Sequence, residues 1–206
     1  MGFRARTQRT IRSDSARGAI VPFTLVGVAC VAVAAGGPAA FAALSFDRDA
    51  IEAGAVWRLL TAHLVHLGTM HLALNLVGLA LIGWITGGEF RWPAWVAIGL
   101  ASGLSVSGSL YAFHPEVSWY VGLSGVLHGL LAGGIVPGVA RRRPESLLLL
   151  AVLLFKLAWE AVAGPIPGSA ETAGGPVLVE AHRYGALGGA AAGLLARFWE
   201  RSVRSV

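Results

Sequence analysis

Four residues in this chain have the types and spacing for acyl-transfer chemistry. Ser124 lies in Gly122-Leu-Ser124-Gly125-Val-Leu-His128-Gly129, and His182 in Ala181-His182-Arg-Tyr-Gly185. A serine hydroxyl is a poor nucleophile until a base within about 2.6–3.2 Å takes its proton, and imidazole titrates near neutral pH. Upstream, His71-Leu-Ala-Leu-Asn75 places two hydrogen-bond donors at i and i+4, on one face of a helix. Such donors, together with the Ser124 backbone N–H, can hold the oxyanion of a tetrahedral intermediate. No Asp or Glu falls obviously in the same layer, so the pattern reads as a Ser124–His182 dyad. Taken one at a time these residues have plainer readings. His and Asn also serve as interhelical glue, and a helical serine usually bonds its own i−4 carbonyl.

The elements that must position them are apolar. The 206 residues are 55% hydrophobic and 13% charged, with 28 glycines and a mean hydropathy of +0.67. A soluble domain carries about 25% charged residues, and disorder needs low hydrophobicity with high charge, so both are excluded and the membrane class remains. Uncharged stretches run from Arg17 to Asp47, Arg58 to Glu89, Arg91 to Glu116 and Glu116 to Arg141. They predict an all-α membrane protein with six spanning helices near 19–44, 70–87, 93–113, 119–138, 146–163 and 181–199. The fifth is interrupted by Lys156 and Glu160, and the sixth opens on Arg183. Two stripes of small residues recur every four positions: Gly125, Gly129 and Gly133 on the fourth helix, and Ala181, Gly185, Gly189 and Gly193 on the sixth. Packed together they let two backbones approach closely, which would bring His182 to Ser124.

Charge sets the expected orientation. The net charge is +5, and 15 of the 16 basic residues are Arg. In a six-helix chain with its N-terminus inside, Arg4 to Arg17, Arg91, Arg141 to Arg143, Arg197, Arg201 and Arg204 are all cytoplasmic. Only Arg48, Arg58 and Arg183 fall on the other side, where the polar clusters also lie. This explains the high isoelectric point without nucleic acid as a partner. The resulting organisation is a basic cytoplasmic segment at 1–18, a six-helix domain at 19–199 and a cytoplasmic tail at 200–206. Ala40-Phe41-Ala42 after an apolar run also resembles a signal-peptide cleavage site, but the run exceeds the usual 7–15 residues.

The remaining polar residues have lesser expected roles. His63 and His66 could join His71 in a metal site, yet no Cys is near and carboxylates are sparse, so hydrogen bonds shaping the outer loop are the better reading. No metal and no cofactor is expected. Lys156 and Glu160, at i and i+4, read as an ion pair shielding two costly charges, with contact to a substrate tail left open. Arg58 behind Trp57 reads as an interfacial anchor. His114 and Glu116 read as solvated, and Cys30, the only cysteine, as packing.

Together these motifs resemble the rhomboid intramembrane serine proteases: Trp57-Arg58, His71-x-x-x-Asn75, Gly122-x-Ser124-Gly125 and Ala181-His182-x-x-Gly185-x-x-x-Gly189, in that order over 57–193. The resemblance implies a six-helix bundle with a water-filled cavity open to the outer side. It implies Ser124 as nucleophile, His182 as base, and His71, Asn75 and the Ser124 N–H as oxyanion donors, with Gly122, Gly125, Gly185 and Gly189 in support. Many rhomboids have Tyr where this chain has His128, which is then a stacking partner for His182 or a packing residue. Within the family the chain is most similar to the rhombosortases, through Lys156-x-x-Trp159-Glu160, Gly164-Pro165 and Gly174-Gly175-Pro176-Val177. That likeness implies residence in a bacterial cytoplasmic (inner) membrane. The implied substrates are exported, membrane-anchored proteins with a C-terminal Gly-Gly motif, an apolar helix and a basic tail. Water or an amine would resolve the acyl-enzyme. Other transmembrane substrates, or binding of membrane clients without cleavage, are the alternatives. A client-binding relative would lack Ser124 or His182, and a small transporter would show internal repeats or paired broken helices.

Overall fold

The computed structural model describes residues 20–204. The whole basic segment assigned to 1–18 and the last two residues of the 200–206 tail therefore lie outside the described residues. The chain opens with α1 (Ile20–Ala35) and α2 (Gly37–Leu44), which meet at 117°. The single first helix expected over 19–44 is thus broken, and Gly36-Gly37-Pro38 is the cause. Gly37 has φ +59°, and Pro38 in the first turn of α2 offers no N–H to continue the earlier helix.

After the bend, β1 (Phe46–Asp47) pairs antiparallel with β2 (Trp119–Tyr120), Phe46 opposite Tyr120. Between them run α3 (Arg48–Glu52), α4 (Arg58–Thr61), a 3₁₀ turn at Ala62–Leu64, α5 (Thr69–Thr86) and α6 (Trp92–Phe113). Then follow α7 (Ser124–Ala140), α8 (Pro144–Ala163), the short α9 (Ser169–Ala173) and α10 (Val179–Arg204). The fourth expected helix therefore starts five residues late, because Trp119 and Tyr120 belong to a strand.

Among the described residues three helices are long and apolar enough to cross a membrane: Thr69–Glu89, Trp92–Phe113 and Pro144–Ala163. The bent α1–α2 pair would make a fourth. By this measure the six spans expected are not reached. α7 has only 17 residues, and the second half of α10 carries Arg197, Glu200 and Arg201. The outward faces are apolar: Val28, Val77, Trp84, Leu148, Phe155 and Leu195 are all exposed. A surface of that kind needs lipid around it.

α7 is buried on nearly every side, and α10 lies directly against it. Their small residues interlock. A methyl group on Gly129 would sit 2.5 Å from the Gly185 carbonyl oxygen, and one on Gly133 would sit 2.6 Å from that of Gly189. In return, Gly185, Gly189 and Gly193 have no room for a side chain against the backbones of Gly125, Gly129 and Gly133. The two stripes expected from sequence do face one another, with backbone against backbone.

Two arginines tie the outer connections to helix ends. Arg48 donates to the carbonyls of Leu110, Tyr111, His114 and Val117 at 2.8–3.1 Å, closing the C-terminus of α6. Arg58 donates to Ser45 O at 2.7 Å and Ala42 O at 2.8 Å, and so holds the end of α2. Its guanidinium therefore works as a helix-end clamp, while Trp57 beside it stays half exposed. At the opposite end of the bundle, Arg141 and Arg143 both bond Glu89.

Filling the α7–α10 seam should be costly. Gly189→Leu is expected to destabilise the bundle by at least the roughly 1–3 kcal/mol of an overpacked core. Leu187→Ala, on the exposed side of α10, should change little. Thermal unfolding in detergent micelles compares the two, and equal midpoints would refute the close approach.

Candidate active site

Ser124 is the first residue of α7. The backbone reaches it through Gly122, whose φ of +123° excludes other residues without strain. Gly122 is also crowded: a methyl group there would lie 3.0–3.1 Å from Cε1 and Nε2 of His71. Its N–H donates to Ala62 O at 3.1 Å, and its carbonyl accepts from the Tyr120 hydroxyl at 2.9 Å. Standing at a helix start, Ser124 has no preceding helical turn to back-bond. Its hydroxyl turns instead to His182, with Oγ 3.0 Å from Nε2.

His182 is 5% exposed and belongs to the first turn of α10. Two neighbours fix its ring. His128 stacks on it with centroids 4.2 Å apart and planes 18° from parallel, so the stacking alternative describes the geometry. The His128 Nδ1–H donates to Ser124 O at 2.7 Å. On the other edge of the imidazole, Nδ1 lies 2.9 and 3.1 Å from the two carboxylate oxygens of Glu160. These partners assign the proton of neutral His182 to Nδ1 and leave the Nε2 lone pair facing Ser124.

That contact corrects the sequence reading, in which no carboxylate shared this layer. Glu160 does form the expected ion pair, accepting from Lys156 Nζ at 2.6 Å. The same carboxylate reaches across to α10. The i, i+4 spacing explained Glu160 locally, and nothing in sequence fixes the rotation of α8 about its own axis.

His71 and Asn75 line the same cavity as Ser124, from α5. His71 Nδ1 accepts from the Leu67 N–H at 3.4 Å, which puts its proton on Nε2, the atom beside Gly122. Asn75 is buried and spends one Nδ2 hydrogen on His71 O at 3.0 Å, leaving the second for another acceptor. The first N–H groups of a helix have no intrahelical acceptor, so that of Ser124 adds a further donor at the site. The cavity has a volume of about 540 Å³. Ile166, Ser169, Pro176 and Val177 from the α8–α10 connection line part of its wall, and Gly175 packs tightly on Leu67.

The other histidines are structural. Buried His63 bonds Gly103 O and Ser107 Oγ, each at 3.0 Å, beneath the outer loop. His66 packs edge-on against His71, and burial together with that neighbour pushes its pKa down to about 4, so its ring is neutral. Contrary to the expectation of a solvated pair, Glu116 is exposed but His114 is partly buried. His114 bonds both Glu116 at 2.9 Å and the Tyr184 hydroxyl at 3.0 Å. Among the described residues the one trio of ligand-type groups that converges is His128, Glu160 and His182, within 4.8 Å, not the His63, His66 and His71 set. It is poorly arranged for a cation. The Lys156 ammonium already sits on Glu160, and stacked imidazoles aim their in-plane lone pairs along parallel planes rather than at one point.

Comparison with known proteins bears on the family of the chain. The family model described as Rhomboid domain matches residues 53–198, which include every residue of the site. The rhomboid protease GluP of Bacillus subtilis (strain 168) is 30% identical over 97 residues, covering 47% of this chain and 19% of that protein. The match thus spans about a fifth of the curated relative's length.

Gly122 is the most exacting backbone position of the site. Gly122→Ala should lower stability by about 1–3 kcal/mol through its φ alone, with displacement of the His71 ring in addition. Gly108→Ala, in α6 with open space around it, should leave the unfolding midpoint unchanged or raise it. The same thermal measurement applied to both variants is the check, and a neutral Gly122→Ala would contradict the geometry.

Proposed function

The chain belongs to the rhomboid family, and on that premise we propose that it is an intramembrane serine endopeptidase with Ser124 as nucleophile and His182 as general base. It is an integral membrane protein of mostly helical fold. The observation that carries the reading is the 3.0 Å approach of Ser124 Oγ to His182 Nε2 at one end of an apolar bundle.

The chemistry follows from the tautomers. The Ser124 hydroxyl passes its proton to His182 Nε2 as Oγ bonds the scissile carbonyl carbon. The carbonyl π pair moves onto oxygen, where the Ser124 N–H, His71 Nε2–H and the spare Asn75 N–H can stabilise it. Collapse of this intermediate breaks the C–N bond. The proton on Nε2 goes to the leaving amine, and an ester to Ser124 remains. Water then gives a proton to Nε2 and attacks the ester, and Ser124 leaves with that proton restored. An amine taking the place of water would yield a transferred product.

The distribution of arginines favours six spans, with both termini cytoplasmic and the cavity on the outer side. α7 and the first half of α10 complete the count as helices sheltered by their neighbours rather than by their own length. The rhombosortase-like residues, Lys156, Glu160 and the Gly174-Gly175-Pro176 segment, all belong to the part of the chain that builds the cavity. They support substrates that are exported proteins held by a C-terminal Gly-Gly motif, an apolar helix and a basic tail.

Cleavage of a reporter bearing such a tail, in micelles or in a bacterial inner membrane, tests the reading. Ser124→Ala and His182→Ala should abolish cleavage. Asn75→Ala should lower kcat by about 10²–10³, the usual effect of one lost oxyanion donor, with little change in KM. Continued cleavage by the Ser124 variant would remove the proposed mechanism.

A further inference from the structure

We propose that Glu160 is a positioning residue for the Ser124–His182 couple, and that Lys156 holds its carboxylate in place inside the bundle. The proposal rests on the serine-protease reading above and adds a third and fourth member to its hydrogen-bonded chain. A neutral histidine without a partner divides between two tautomers, and only the Nδ1–H form leaves Nε2 free to accept the serine proton. Stacking on His128 fixes the tilt of the ring but not its rotation within its own plane. An in-plane acceptor at Nδ1 fixes that rotation and selects the tautomer together. Glu160 is the acceptor, with its oxygens at 2.9 and 3.1 Å.

The burial of Glu160 points the same way. Its side chain is 2% exposed, a place where a carboxylate is retained only with strong partners. Lys156 alone could satisfy a simple membrane ion pair from the neighbouring turn, in any direction around α8. Here the pair is turned inward. Lys156 Nζ lies 2.6 Å from Glu160 Oε1 and 3.4 Å from His182 Nδ1. Nζ and the protonated Nδ1 are both donors, so they share the carboxylate rather than bond one another. The Lys156 ammonium and the Glu160 carboxylate offset each other's charge. When His182 takes the serine proton, the new imidazolium meets a carboxylate already in place.

The test uses the full-length protein in detergent micelles and does not depend on knowing the substrate. A fluorophosphonate reacts with an activated serine, and its saturation kinetics separate binding (KI) from chemistry (kinact). Ser124 should be labelled in the unmutated protein and not in Ser124→Ala. Glu160→Gln, nearly isosteric, should lower kinact at least about 10²-fold, toward the roughly 10⁴-fold loss known when a serine protease's orienting carboxylate is neutralised, with KI within threefold. The double variant Lys156→Met with Glu160→Leu removes both charges and should keep or raise the unfolding midpoint, since an apolar pair often replaces a buried ion pair without loss. It should nonetheless lose kinact as Glu160→Gln does, and it carries the test where the single variant does not fold. A purely structural pair gives the opposite result, full labelling by the folded double variant, and that overturns the proposal. So does Glu160→Gln with unchanged kinact. If the unmutated protein is not labelled at Ser124, the serine-protease reading falls, and this proposal with it.

Discussion

The structure depends on how closely two backbones can approach. α7 carries Ser124 and α10 His182, and the distance between them is set by glycines that meet main chain to main chain. Packed helices with ordinary side chains stand about 8–10 Å apart. At that spacing a serine and a histidine on facing helices need fortunate rotamers to touch. Here both face each other in first turns, and the contact at 3.0 Å follows from the axis separation. In a bilayer this economy has a second origin. Lipid offers apolar groups no reason to leave it, so helices associate through packing and hydrogen bonds. A seam of small residues supplies the packing, and the polar groups at its end supply the bonds.

The same scarcity explains why several polar side chains serve more than one partner. Arg48 satisfies four carbonyls, three of them at the end of α6. Glu160 accepts from both Lys156 and His182. His128 stacks on one residue of the site while bonding the backbone of another. An unsatisfied polar group inside an apolar bundle costs about 1–3 kcal/mol, so a chain with few polar residues gains by sharing them. The sharing also couples the site to the fold. The α8 helix cannot rotate away without exposing two charges to lipid and releasing the imidazole.

Much of this was legible in sequence, and the limits have physical causes. The period-four stripes were readable because small residues in an apolar helix have few other uses, and Ser124, His182, His71 and Asn75 stood out against a nearly unbroken apolar background. The contact of Glu160 with His182 stayed hidden because the i+4 ion pair with Lys156, which does form, offers a complete local explanation. The rotation of α8 that turns it to His182 arises from packing against α7 and α10. The bend between α1 and α2 had a local signal in Gly36-Gly37-Pro38, which the continuous hydropathy outweighed. Pairing of Phe46–Asp47 with Trp119–Tyr120 is too short and too distant in sequence for any periodicity to reveal. The four carbonyls gathered by Arg48 exist as a group only once α6 has ended beside α3.

The start of α7 shows how one boundary can do several things. Had the helix begun at 119, as hydropathy alone suggests, Ser124 would lie in its second turn, its hydroxyl free to bond the carbonyl of Tyr120, its N–H spent inside the helix. Gly122 prevents this. Its positive φ ends the extended segment after β2 and lets the helix begin only two residues later. The hydroxyl is thereby released to His182, the first amides of the helix are left without carbonyls, and their dipoles point toward the place where an oxyanion would form. The missing side chain of Gly122 also makes room for the His71 ring. The Ser124 hydroxyl, its contact with His182 and the amides beside it thus depend on where a single helix begins, and the residue that sets that point is the one on which no side chain fits.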